Sequence, residues 1–114
     1  MIDRHEPAIC AVCARPATGY GVAPNHTSKI MWVCDDPDCL QIAKSSYAME
    51  QDHFERLDSL AAGKGGEKAG EYLEQIGKTD LATMNQTEWF EFCRRLVAGY
   101  RSALKNDLRD EAPF

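Results

Sequence analysis

A small α+β fold, mainly α, is the architecture this sequence predicts, and three observations predict it. Two close cysteine pairs, Cys10 with Cys13 and Cys34 with Cys39, bracket a stretch of short apolar runs and turn-forming residues. After them the apolar residues recur at spacings of three and four, the period of helices. A glycine cluster, Gly63-Lys64-Gly65-Gly66, then divides that helical part. The expected organisation is a cysteine-knuckle region with a long helix over 1–62, a Gly-rich hinge over 63–66, a helical region over 67–109 and an acidic tail over 110–114.

Each element has a local cause. Pro16, Gly19, Gly21 and Pro24 fall among Tyr20, Val22, Ile30, Met31, Trp32 and Val33, which predicts a β-hairpin. Its clearest strand, Ile30 to Val33, delivers Cys34 at its end. Asp35 or Asp36 caps the next helix and Pro37 suits its first turn. Leu40, Ala43, Tyr47, Phe54 and Leu57 carry that helix towards Leu60, so Cys39 sits in the first turn. Past the hinge, Ala69, Tyr72, Leu73 and Ile76 share a face, and Gly77 stops the helix in the left-handed conformation. Asn85 and Glu88 form a capping pair for the last helix, completing a helical hairpin. There Trp89, Phe92, Cys93, Leu96, Val97, Tyr100, Leu104 and Leu108 trace one apolar stripe, which is expected to be buried with Cys93 as a small core residue.

The cysteine spacing carries the chemistry. Each pair places two thiolates on one short loop, and the intervening residues fold back so that four sulfurs converge tetrahedrally on one structural Zn2+. The second pair has the wider gap, which leaves His26 or His5 as an alternative to one sulfur. Two disulfides would suit a secreted chain, but Met1 to Pro7 has no apolar signal segment, so a reducing cytoplasm is expected. A closed four-thiolate site has no position for a water, which makes the metal structural and not catalytic. His5, His26 and His53 are scattered with no nucleophile beside them, and no paired carboxylates stand out, so no enzyme is expected. Gly77-Lys78-Thr79 resembles the end of a phosphate-binding loop, but Tyr72 stands where that motif needs glycine.

Charge narrows the partners. A net charge of -5 argues against a general nucleic-acid coat, and no apolar run reaches the length of a membrane span. Arg94, Arg101, Lys105 and Arg109 nevertheless align on the last helix, with Arg95 nearby and Glu88 and Glu91 in its first turn. One reading is a stripe that meets a phosphate backbone, helped by Arg15, Lys29 and Trp32 of the hairpin. The other is a solvated face whose charges complement the helix dipole. Asp52, Glu55 and Asp58 form an acidic face, a candidate mimic of DNA charge directed at a host nuclease.

Three resemblances add to this. A knuckle on a hairpin, then a strand, then a helix bearing the last ligand resembles treble-clef zinc fingers over residues 8 to about 50. That likeness implies a scaffold and leaves the activity open, since such fingers bind DNA, RNA, ubiquitin or other proteins. Asp110-Glu111-Ala112-Pro113-Phe114 resembles the acidic tip of bacterial single-stranded-DNA-binding proteins. The resemblance implies that Pro113 and Phe114 enter an apolar pocket on a replication, recombination or repair protein, while Asp110 and Glu111 steer the approach. Gly70 to Leu81, Glu88 to Cys93 and Leu96 to Tyr100 resemble a family of small phage and prophage proteins of unassigned function, some with an upstream cysteine knuckle. The expectation is a phage accessory protein in the host bacterial cytoplasm, a zinc-stabilised interaction module that recruits or inhibits a DNA-metabolism or host-defence protein. A nucleic-acid-binding zinc finger and a counter-defence nuclease inhibitor are the alternatives.

Overall fold

The computed structural model describes residues 3–111. In chain order these form β1 (Tyr20–Val22), β2 (Met31–Val33), α1 (Pro37–Ser46), α2 (Gln51–Ile76), a 3-10 turn over Leu81–Thr83, and α3 (Gln86–Glu111). The predicted class holds: a hairpin and a helix around four cysteines, followed by a long helical hairpin.

β1 and β2 pair antiparallel, with Tyr20 opposite Val33, Gly21 opposite Trp32 and Val22 opposite Met31. Alternation along β2 turns Met31 and Val33 inward and leaves Trp32 half-buried. The knuckle lies against the same strand, through Ala11 N–H to Trp32 O at 2.9 Å and Thr18 N–H to Val33 O at 3.2 Å. Asp36 caps α1, its carboxylate accepting from Asp38 N–H at 2.9 Å, with Pro37 in the first turn.

The expected continuous helix from Asp36 to Leu60 is instead two helices, broken over residues 47–50. Ser45 and Ser46 turn their hydroxyls back onto the helix, Ser46 Oγ donating to Ile42 O at 2.7 Å, a competing bond that weakens a last turn. Tyr47 Oη donates to Lys29 O at 2.5 Å, and the turn that follows places Met49 in the core.

The Gly-rich hinge at 63–66 does not exist as a break, because α2 runs unbroken through it. Gly65 faces Gly99 of α3, and a Cβ built on Gly65 would run into Leu96 O and lie 2.9 Å from Tyr100 N. The glycine is there for the close approach of two backbones, not for flexibility. Gly63, Gly66 and Gly70 have open space where a Cβ would stand. Gly77 ends α2 as expected, at φ 68°, with Lys78 N–H donating to Leu73 O at 3.1 Å. Across the connection, Glu88 N–H donates to Asn85 Oδ1 at 2.8 Å and Asn85 N–H to Glu88 Oε1 at 3.0 Å, the predicted reciprocal cap.

One apolar cluster joins both parts: Val12, Met31 and Val33, Ile42 of α1, Phe54 and Leu57 of α2, and Leu104 and Leu108 of α3. The cysteine region therefore shares a core with the helical hairpin. That core sits at one end of an elongated molecule of 52 × 24 × 24 Å. Towards the other end only two helices remain, and two helices cannot cover each other on every side. The expected burial of the whole α3 stripe is accordingly corrected: Leu104 and Leu108 are buried, while Trp89 is 44% exposed and Val97 41%; Phe90, outside that stripe, is 50% exposed. Cys93 is half-buried. The acidic tail also begins later than expected, since α3 continues through Asp110 to Glu111. Pro113 and Phe114 lie outside the described residues. Among the described residues no helix is long and apolar enough to cross a membrane.

Candidate metal centre

The first cysteine pair sits on a tight knuckle. Cys10 N–H donates to Arg15 O at 2.7 Å and Ala14 N–H to Cys10 O at 3.0 Å, and Ile9 and Pro16 form a bridge across the neck. Closing this turn forces Ala14 to φ 64°, a left-handed conformation that costs an alanine about 1–2 kcal/mol. Cys34 leaves the end of β2, and Cys39 occupies the first turn of α1, where the Asp36 cap and Pro37 fix the helix start. Three separate local devices thus bring two pairs of side chains together.

The result is compact. All four cysteines are buried and free of disulfides, and their sulfurs lie within 4.8 Å of one another. Cys13 Sγ and Cys34 Sγ are 3.8 Å apart. Sulfurs at the corners of a tetrahedron, each about 2.3 Å from a central ion, stand about 3.8 Å apart. The donor set and its spacing therefore fit one metal ion, with no position left for a substrate. His5 is not part of the set: its Nδ1 donates to Ile30 O at 3.0 Å. His26 is not part of it either.

Packed together, three of the four thiols hold their protons unequally. Cys39 is pushed up to about 12, first by burial and then by the neighbouring Cys10. Cys13 is pushed up as well, chiefly by its hydrogen bond with Cys10. Cys10 goes the other way, to about 4, first because Cys13 bonds to it and then because the N–H groups of Cys13, Val12 and Cys34 face its sulfur. A bound cation would replace these shared protons and stabilise every thiolate at once.

The predicted basic stripe is divided by the fold. Arg94, Arg101 and Lys105 line a groove of about 670 Å³ between α3 and the knuckle, and Arg15 joins them from the knuckle side. Arg109 lies off the groove, 3.8 Å from Asp38 and bonded to Asn106. Lys105 Nζ reaches Asp36 Oδ2 at 2.7 Å, tying α3 to the cap of α1 and holding the Asp36 carboxyl below its ordinary range. Arg95 turns to α2 instead, stacking over Tyr72 at 4.7 Å and donating to Gln75 at 3.2 Å. Lys29 offers its backbone carbonyl to Tyr47, and Trp32 is half-buried on β2. On the acidic face, Asp58 accepts a hydrogen bond from Tyr100, and Asp52 and Glu55 share the same turns of α2. Glu111 lies 3.5 Å from His53, while Asp110 is exposed. Lys78 meets Glu88 Oε1 at 2.6 Å, so the lysine of the phosphate-loop lookalike is a clasp between the helices.

Of the hairpin residues grouped with the α3 stripe in the nucleic-acid reading, Arg15 does face it across the groove, whereas Lys29 and Trp32 do not line it. Sequence reasoning missed the exposure of Phe90 and Leu81, which depends on how much of each helix a neighbour covers.

No curated protein matches the chain, and no solved structure matches it. The family match that does exist covers α2, the connection and α3, and leaves the four cysteines outside it. Residues 52–114 match a family of unknown function, DUF6511, and with more than half of its length inside that match the chain belongs to this family.

Proposed function

We propose that the protein is a zinc-stapled, non-catalytic interaction module that presents the outer half of its helical hairpin to a protein partner. Zinc is the ion this site would hold, because four buried thiolates in a closed tetrahedral set suit it and exclude a catalytic water. The observation that carries the reading is the contrast between the two ends of the molecule. One end is fixed by four sulfurs and the shared core. The other leaves Leu81, Trp89 and Phe90 exposed on a rigid helical frame. Aromatic residues in that setting are the usual anchors of protein interfaces.

The partner class follows the sequence. We take the chain to be a phage accessory protein acting in the host cytoplasm on a DNA replication, recombination or repair protein, which it recruits or inhibits. The acidic segment from Asp110 to Phe114 would be a second point of attachment, with Asp110 and Glu111 carried on the last turn of α3.

Capture from a bacterial lysate tests both surfaces. Wild-type chain is compared with Trp89→Ala/Phe90→Ala and with a chain lacking Pro113 and Phe114, and bound proteins are identified by mass spectrometry. A DNA-metabolism protein retained by the wild type and lost from both variants is the expected result. A partner set unchanged in both variants would dismiss the reading.

A further inference from the structure

The groove between the knuckle and α3 has more positive charge than its surroundings use. Arg15, Arg94, Arg101 and Lys105 line it against a single carboxylate, Asp36. Lys105 is bonded to Asp36, and Arg94 to Glu91 at 2.6 Å. The Arg101 side chain has neither a hydrogen bond nor an ion pair among the described residues, and the Arg15 side chain meets Asp36 only at longer range. In a protein of net charge -5, such a concentration needs a reason.

The metal centre is one candidate reason, since four thiolates around a divalent cation keep a charge of about -2. Cys13 lines the groove and Lys105 feels Cys39, so Lys105 and Arg15 are answered by it. Arg101 is not, and Arg94 is answered only by Glu91. At 1.5 Å of rise per residue they stand about 6 and about 16 Å from Lys105, towards the N-terminus of α3. Their row faces open solvent instead, beside the hydroxyl of Ser102 and the exposed apolar surface of Val97.

We propose that this groove binds a phosphate-bearing ligand, with Arg94 and Arg101 as its main contacts and Arg15 on the opposite lip. Guanidinium groups bind phosphate oxygens in pairs, Ser102 supplies a neutral donor, and Val97 offers a surface for the sugar or base. The volume, about 670 Å³, is that of a small-ligand site. Free nucleotides and the backbone of a single strand share this chemistry, and the probes separate them. The site is distinct from the aromatic surface of the hairpin and stands or falls without it.

The test uses the full metal-loaded chain at low salt, with ATP followed by calorimetry and a fluorescent oligothymidylate followed by anisotropy. At least one probe should bind, and Arg94→Gln/Arg101→Gln should weaken it about tenfold or more, since charged hydrogen bonds are lost. Lys44→Gln/Lys68→Gln, an equal change of net charge away from the groove, should change it less than about twofold. Preference for ATP assigns a free nucleotide; preference for the oligonucleotide, with a steep fall on adding salt, assigns a strand. If the double arginine variant loses its metal, Arg101→Gln alone is judged by the same criterion. Failure of both probes to bind wild type, or equal loss in the lysine control, overturns the proposal.

Discussion

Two neighbouring glycines in α2 should respond to the same substitution in opposite directions. At Gly66 a Cβ meets nothing within 4 Å, so Gly66→Ala gains the helix propensity of alanine, about 1 kcal/mol. At Gly65 the same methyl would press on Leu96 O and stand 2.9 Å from Tyr100 N and 3.2 Å from Tyr100 Cβ. Two of those atoms are backbone of α3 and cannot rotate away, so the helices must separate or bend, an overpacking cost of about 3 kcal/mol. The net for Gly65→Ala is about 2 kcal/mol of destabilisation. For a chain of this size about 1 kcal/mol moves the melting temperature about 4 °C. Thermal melts followed by far-UV circular dichroism should therefore show Gly66→Ala about 4 °C above wild type and Gly65→Ala about 8 °C below it. A Gly65→Ala protein that melts at or above wild type would refute the close packing of α2 against α3.

Other outcomes follow from the same geometry. Ala14→Gly should stabilise the knuckle by about 0.5–1 kcal/mol in denaturant titrations, because the left-handed penalty at φ 64° is removed and only part is returned through the freer unfolded chain. Glu88 is held below its ordinary range first by Lys78 and then by Asn85 N–H. A carboxylate with a lowered folded-state pKa stabilises above its unfolded value and loses that contribution as pH falls through the folded one. The stability gap between wild type and Glu88→Gln, measured by melting across pH, should thus be full near neutrality and shrink on acidification below about pH 4. A gap independent of pH would remove Glu88 from the helix clasp.

What could be read from the sequence was local. Asp36 with Pro37, Gly77, and Asn85 with Glu88 are short-range devices whose function is written within three or four residues, and all of them operate as expected. The four cysteines were legible for the same reason, since each pair is closed by its own turn or helix start. The misread positions depend on distant partners. Gly65 looked like a helix breaker until the backbone of α3 was beside it, and Ser45, Ser46 and Tyr47 contain no glycine or proline to announce the break after α1. Periodicity marked the α3 stripe as amphipathic but could not say that only its last two turns meet a third element of the fold.

The four-sulfur centre is the premise beneath the fold of the amino-terminal region and the rigid placement of α3. Its most direct check is metal content per chain, measured by inductively coupled plasma mass spectrometry on purified wild type and on Cys10→Ser/Cys39→Ser. One zinc per wild-type chain and none retained by the variant is the predicted result. Wild-type protein without stoichiometric metal, or a variant that keeps its full zinc, would contradict it.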